Sequence, residues 1–231
     1  KVFCQRAKGI LRMLYRIICI LIGYACGLFQ TSYIYGKIKH IDIRDYGSGN
    51  AGTTNALRTL GKKAGAVTFI GDIMKPVIAM FICYLLFRNS AQDYIKALCL
   101  YAGAGAVLGH VFPVYLGFRG GKGIATLGGV AIWFSVSSGI WFALPISIAI
   151  FVLAVCVTKY VSLGSILMLL SYLIQLVIYG QTQICNIMTP YLYECYALFF
   201  ILCAIAIYKH HGNIKRLLNG TENKIGQKSK K

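Results

Sequence analysis

The sequence predicts an all-α, polytopic membrane protein with about seven transmembrane helices. Of its 231 residues, 58% are hydrophobic and only 13% charged, whereas soluble domains average about 25% charged. The mean hydropathy is +0.67. Apolar runs of the order of 20 residues recur along the chain, long enough to cross a hydrocarbon layer as helices. A β-barrel would show short segments of alternating hydrophobicity instead. No long polar linker divides the chain. One membrane domain is therefore expected over residues 15–208, between a basic N-terminal arm (1–14) and a basic tail (209–231).

The first spanning helix is placed at 15–35 and is followed by a polar segment, 36–63, rich in glycine and small polar residues. A second helix covers 64–87. A short loop with Arg88, Asp93 and Lys96 leads to a third at 97–117. The apolar stretch 124–158 is too long for one helix and fits two, with Ser137-Ser138-Gly139 as the hairpin. Lys159 marks a polar turn, a sixth helix runs to 179, and a seventh covers 191–208.

The net charge is +18, from 24 basic against 6 acidic residues. Seven crossings place segments 36–63 and 118–123, the turn at 159 and the tail on one face, with sixteen of the cations. That face is expected to be cytoplasmic. The N-terminal arm, with Lys1, Arg6, Lys8, Arg12 and Arg16, falls on the opposite side and goes against the rule. Cations confined to loops and ends orient the protein and attract anionic lipid, so no nucleic-acid partner is expected. The nine cysteines lack metal-ligand spacing and sit mostly within apolar runs. No metal is expected, nor a disulfide, even for Cys185 and Cys195 near one outer loop.

Three polar clusters fall on the lysine-rich face. The central one runs from Gly109-His110 through Pro113 to Phe118-Arg119-Gly120-Gly121-Lys122-Gly123-Ile124-Ala125-Thr126. An apolar run breaks at a proline and turns on glycines around a lysine. Glycine N–H groups can approach an anion closely and lysine adds a point charge, so the turn suits a phosphate whose remainder lies in lipid. It is not a nucleotide P-loop, which requires four free positions before Gly-Lys and Ser or Thr after it. Pro113 is expected to free the Gly109 carbonyl and let the helix end bend. His110, ionisable at membrane depth, is either a helix–helix hydrogen-bond partner or a reacting group.

The first cluster packs Gly47-Ser48-Gly49-Asn50-Ala51-Gly52-Thr53-Thr54-Asn55 ahead of Arg58, about one helical turn on. Ser48 and Asn50 are expected to cap the following helix, whose start is an anion site. The third runs from Lys209-His210-His211 to Glu222. There Asn213 and Arg216 share a helical face, Gly220 is a plausible stop, and Glu222 stands alone among cations. A weaker element, Val161-Ser162-Leu163-Gly164-Ser165, places two serines at a helix start on the same face.

These motifs together resemble the bacterial membrane glycerol-3-phosphate acyltransferases that use acyl phosphate as donor, the PlsY family. Residues 47–58 are similar to its GSGN-x-GATN-x-x-R motif, 109–126 to GH-x-x-P-x-F-x-x-FKGGKG-x-AT, and 210–222 to H-x-x-NIKRL-x-x-G-x-E. Departures are Thr53 for alanine, Tyr115 for phenylalanine and Arg119 for lysine. Gly27-Leu28-Phe29-Gln30 also stands where the family tends to have Gly-Ser-Ile-Pro, which puts the usual helix break in question. The resemblance implies transfer of a fatty acyl group from acyl phosphate to the sn-1 hydroxyl of glycerol 3-phosphate, giving lysophosphatidic acid and phosphate with no cofactor or metal. It implies a multi-pass protein of the cell inner (plasma) membrane with a cytoplasmic site, and the acyl-phosphate-forming enzyme as a candidate partner. Oligomeric state stays open.

Carried over residue by residue, Ser48, Lys122, His110 and Glu222 are the catalytic candidates. Gly49, Asn50, Gly52, Thr54, Asn55, Arg58, Gly120, Gly121, Gly123, Thr126, Ser162, His210, Asn213, Lys215 and Arg216 are the substrate contacts. Acyl phosphate is already activated, so direct attack by the glycerol hydroxyl is expected, with a substrate phosphate accepting the proton. His110 and Glu222 are alternative bases, and a covalent acyl-Ser48 intermediate is the alternative mechanism. The rival from another class is a transporter of a phosphate-bearing metabolite. It would need polar groups deep in several helices, where Asp72 and Lys75, one turn apart and expected to pair, are the deep charges beside His110.

Overall fold

The computed structural model describes residues 2–182 and 184–226, with side chains from Gln5 onward. Among these residues there are ten α-helices and no strand. They are α1 (Val2–Gly27), α2 (Thr31–Ile38), α3 (Thr53–Leu60), α4 (Lys62–Phe87), α5 (Ile95–Val111), α6 (Ile124–Ser138), α7 (Ala143–Thr158), α8 (Val161–Gln181), α9 (Thr189–Lys209) and α10 (His211–Leu218).

Five spans are long and apolar enough to cross a membrane: Gln5–Ile38, which joins α1 and α2, then α4, Gln92–Leu116 around α5, α8 and α9. Helices α6 and α7 are apolar but only 15 and 16 residues long. They form the expected hairpin and bring the apolar helices to seven. The first span differs from expectation. Helix α1 begins at Val2, so the described part of the basic arm belongs to the helix itself, as its run of good helix formers (Gln5, Arg6, Ala7, Lys8) permits. The break at Leu28–Gln30 is present although no proline marks it. Helix α5 stops at Val111, not 117, because Pro113 cannot extend it.

Helix α5 is the centre of the bundle and packs on α1, α4, α6 and α9. Small residues make its approach to α1 very close: a Cβ on Gly105 would lie 2.2 Å from the Ile20 carbonyl oxygen, and one on Gly23 1.9 Å from that of Ala102. Backbones this near are the usual way helices associate in lipid, where apolar faces gain nothing from leaving water. At the end away from the polar clusters, Arg16 of α1 donates to Glu194 of α9 (Nη2–Oε2 2.9 Å), and Tyr101 of α5 donates to the same carboxylate at 2.6 Å. Arg12 and Arg16 also lie over the Tyr94 ring. By contrast α7 touches mainly α8, which leaves the α7–α8 hairpin, unlike α6, loosely joined to the rest.

The tightness of the α1–α5 seam is testable by adding one methyl group. Gly105→Ala should lower stability by about 1–3 kcal/mol, the usual cost of overpacking, read as an earlier thermal transition of the purified protein in detergent. Gly128→Ala is the contrast, since a Cβ there meets nothing within 4 Å. It should stay within about 0.5 kcal/mol of the parent or exceed it.

Candidate active site

The site begins where α5 ends. Pro113 has no N–H, so the Gly109 carbonyl loses its helical partner. The Gln30 amide supplies one, donating to Gly109 O at 3.2 Å and His110 O at 3.0 Å. Gly121 N–H donates to the His110 carbonyl at 3.1 Å and Gly120 N–H to that of Val111 at 3.3 Å. These two N–H groups are therefore spent inside the chain and do not face an anion, as the sequence had suggested. Their glycines serve close approach: a Cβ on Gly120 would lie 1.9 Å from His110 O, and one on Gly121 2.1 Å from His110 Nε2. The turn is pressed onto the end of α5, and this aims Lys122.

The first cluster is shaped by Asn55. Its Oδ1 accepts from Ser48 N–H at 2.9 Å, while its Nδ2 donates to the carbonyls of Ile43 (3.0 Å) and Tyr46 (2.9 Å). Gly47 and Gly49 take φ of +61° and +68° to make the loop. The expected caps are absent. Gly52 is the N-cap of α3 and no side chain caps it, because Asn55 already holds the loop that carries Ser48. Arg44 donates to the Leu116 carbonyl at 3.1 Å and so ties this loop to the central turn. The hydrogen bond from Arg44 also holds Asp42 down to about 2, so that pair is closed on itself.

Glu222 is the hub of the third cluster. Its Oε1 accepts from Ser162 Oγ (3.1 Å) and Asn213 Nδ2 (2.7 Å), and its Oε2 from Arg216 Nε (2.7 Å). Lys122 Nζ donates to Asn213 Oδ1. All three motifs and the serine element are thus joined by direct bonds or by a shared cavity wall. His210, between α9 and α10, donates Nδ1–H to the Ala206 carbonyl at 2.7 Å. A carbonyl can only accept, so in the neutral ring the lone pair sits on Nε2. Burial depresses His210 to about 4, which keeps it neutral at physiological pH.

These elements enclose a cavity of about 210 Å³. It is lined by Ser48, Asn50, Gly52, Thr54, Asn55, Arg58, His110, Lys122, Gly123, Ser162, His210, Asn213, Arg216 and Glu222, all singled out in the sequence. Five others singled out lie outside the lining: Gly49, Gly120, Gly121, Thr126 and Lys215. Lys215 is exposed, because one helical step, about 100°, turns it away from the face of Arg216. Thr126 is fully buried behind the turn. Sequence reasoning missed the apolar flank, Phe69, Ile124, Ala125, Phe151 and Val161. Nothing distinguishes these residues from their neighbours within apolar runs. It had noted Asp72 as a deep charge and Ser165 at the start of α8 without placing either in the site.

The charge balance of the cavity is one-sided. Arg58, Lys122 and Arg216 face it against Asp72 and Glu222, and Asp72 is already paired with Lys75 at 2.9 Å. Burial lowers Lys122 to about 8, opposed by Glu222 and reinforced by Arg216 and Arg58. Burial lowers Arg58 as well, with Arg216 again adding repulsion. The first turns of α3, α6, α8 and α10 also contribute to the lining, and none of the four has a side-chain cap. Each such end carries roughly half a positive charge. The cavity is therefore electrostatically suited to an anion.

Fold and site together define an integral membrane protein with a cation-lined cavity at one end of its helix bundle. The chain belongs to the glycerol-3-phosphate acyltransferase family, whose profile matches residues 17–220. It is 42% identical over 94% of its length to a glycerol-3-phosphate acyltransferase of Thermoanaerobacter sp., covering 98% of that protein. A Clostridioides difficile relative of the same name is 43% identical over 92% of this chain and 96% of its own. Among solved structures, the chain resembles PlsY (YgiH), an integral membrane glycerol 3-phosphate acyltransferase. The glycerol 3-phosphate form matches with a TM-score of 0.76 and 31% identity, over 91% of this chain and 96% of that one. The lysophosphatidic acid form gives a TM-score of 0.75. The PlsY resemblance of the three motifs is thereby borne out.

Because Lys122 is depressed to about 8, its charge is present below that pH and lost above it. Above about pH 7, where a phosphate monoester is a dianion, calorimetry should show affinity for glycerol 3-phosphate falling as pH passes about 8. Binding in that range should take up a proton, since a bound anion favours the ammonium. Lys122→Arg should move the alkaline fall to higher pH. Lys122→Ala should weaken binding by about 10- to 100-fold, the worth of one charge-assisted hydrogen bond.

Proposed function

We propose that the protein transfers a fatty acyl group from acyl phosphate to the sn-1 hydroxyl of glycerol 3-phosphate, giving lysophosphatidic acid and phosphate, the first acylation of phospholipid synthesis. The carrying observation is the cavity's surplus of positive charge beside an apolar flank. A volume near 210 Å³ is below the usual range for whole drug-sized ligands, so it suits small polar head groups. A fatty tail must then leave it along Phe69, Ile124, Phe151 and Val161, toward the loosely joined α7–α8 hairpin. The glycerol 3-phosphate and lysophosphatidic acid forms of PlsY support the choice of acceptor and product.

The hydroxyl oxygen attacks the acyl carbonyl, a new ester C–O bond forms, and the bond from carbon to the bridging oxygen breaks. Phosphate leaves with that electron pair. Arg58, Lys122 and Arg216, with the uncapped helix ends, hold the phosphates and offset their mutual repulsion. His210, whose Nε2 is the accepting nitrogen of a ring that lines the cavity, accepts a hydrogen bond from the hydroxyl and orients it. At about 4 it binds a proton less well than a phosphate with a second pKa near 6. The difference of roughly two units, about 2.7 kcal/mol, makes the phosphate the final proton acceptor. Glu222 is occupied by three donors and holds Asn213 and Arg216 in place. Ser48 lines the cavity, but its hydroxyl has no basic partner among the described residues, which favours direct attack over an acyl-serine. The transporter reading loses support, because Lys75 bonds both Asp72 and His110, so these deep polar groups are engaged with one another.

In this reading the site faces the cytoplasm of the plasma membrane, the acyl-phosphate-forming enzyme feeds it, and no cofactor is used. Purified protein in detergent, given acyl phosphate and labelled glycerol 3-phosphate without added metal, should form lysophosphatidic acid and phosphate in equal amounts. Lys122→Ala should not. A reaction that fails, or that runs equally well on an acyl-coenzyme A thioester, would overturn the proposal. An acyl ester on Ser48 after donor alone would overturn direct attack.

A further inference from the structure

Beneath the central turn lies a charged group that none of the three motifs explains as a unit. Asp72 and Lys75 of α4 and His110 of α5 are all buried, at 2%, 4% and 2% exposure. Lys75 Nζ lies 2.9 Å from Asp72 Oδ1, 2.6 Å from His110 Nδ1 and 3.3 Å from the Phe29 carbonyl in the α1–α2 break. An ammonium group has three N–H donors and no acceptor, and here each has its partner. His110 Nδ1 must therefore be the accepting nitrogen. A proton on Nδ1 would point at an ammonium donor 2.6 Å away, while Asp72 Oδ1, at 3.7 Å, is too far to receive it. The proton of the neutral ring then sits on Nε2. His110 lines the cavity, and no described residue accepts from Nε2.

We infer that Asp72 and Lys75 lock His110 as a neutral Nε2–H donor at the floor of the cavity, which makes them positioning residues for the transfer of the acyl group. The oxygen that receives this hydrogen bond belongs to the ligand, either a phosphate or the carbonyl that becomes an oxyanion. The assignment rests on the acyltransferase reading for its purpose, though the tautomer itself does not. It also removes His110 as a base, since one nitrogen is protonated and the other is covered by Lys75. His210 stands as its opposite, with Nδ1 protonated and Nε2 open, so one ring offers a donor and the other an acceptor. Asp72 matches the lysine's charge, so the pair fixes the ring without adding net charge beneath an anion site.

A purely structural ion pair would behave differently, because replacing both members of a buried pair is often neutral or stabilising. The experiment uses the full-length protein labelled with ¹⁵N-histidine in detergent, with His110→Gln to assign its signals. The wild type should show His110 protonated on Nε2 and His210 on Nδ1. In the double variant Asp72→Asn/Lys75→Met the His110 signal should move to a mixture of tautomers. That variant should keep its KM for glycerol 3-phosphate within about threefold while kcat falls tenfold or more. His110→Leu should lose about 10²-fold in kcat, the scale of one lost oxyanion donor. His110→Gln, which retains an N–H, should recover much of it. A wild-type His110 protonated on Nδ1 would overturn the inference, as would an unchanged kcat in the double variant. If the double variant does not fold, the wild-type tautomer and the Gln–Leu contrast still decide. A protein that transfers no acyl group would defeat the acyltransferase reading and leave the tautomer measurement to judge this one.

Discussion

Backbone polar groups at the end of a helix buried in a bundle must find partners, and here they find them within the protein. Pro113 ends α5 and frees a succession of carbonyls, and each is met. Gln30 donates to those of Gly109 and His110, Gly121 and Gly120 to those of His110 and Val111, and Tyr24 to that of Phe112 at 2.8 Å. This requirement folds the glycine turn back on α5 and points Lys122 at Asn213. It also explains why α1 must lie so close to α5: only then do Tyr24 and Gln30 reach the helix end. The packing of small residues and the placement of the Lys122 ammonium are two consequences of one constraint.

The turn in turn sets the electrostatics. With the N–H groups of Gly120 and Gly121 spent, the glycine pair offers an anion nothing directly, and the turn contributes the Lys122 ammonium, which is partly desolvated. The remaining attraction comes from Arg58, Arg216 and four uncapped helix starts, which arrive from separate parts of the chain. Glu222 gathers the third and fourth elements and tempers the repulsion among these cations. Burial is the main reason that Lys122 titrates low, and repulsion from Arg216 and Arg58 adds to it.

Much of this was legible in the sequence, for local reasons. Glycine, proline and cation spacing marked the three turns, and the alternation of apolar runs with basic loops put them on one face. Asp72 and Lys75, three apart on a helix, had to be neighbours. What could not be read were partnerships across the chain. Gln30 looked like a mere departure from a proline, yet it serves carbonyls about 80 positions away. Glu194 passed unnoticed at the start of α9, although it pins α1 and α5 at the far end of the bundle. Asn55 reads as a substrate contact, yet its side-chain amide is engaged in clamping the loop before it. Lys215 and Arg216 are adjacent and chemically alike, and only the phase of α10 separates them.

The two histidines show the same limit in its sharpest form. Both stand in polar motifs, and residue type alone makes either one a base. Their environments decide otherwise, since a carbonyl facing Nδ1 of His210 and an ammonium facing Nδ1 of His110 impose opposite tautomers. A reaction in which a hydroxyl must be oriented while negative charge builds on oxygen needs one acceptor and one donor, and two neutral imidazoles supply them without adding charge. In the proposed reaction the acyl phosphate carries its own leaving group and a phosphate takes the proton, which leaves the protein geometry and electrostatics as its tasks. A site assembled from helix ends, clamped side chains and a locked ring is suited to that division of labour.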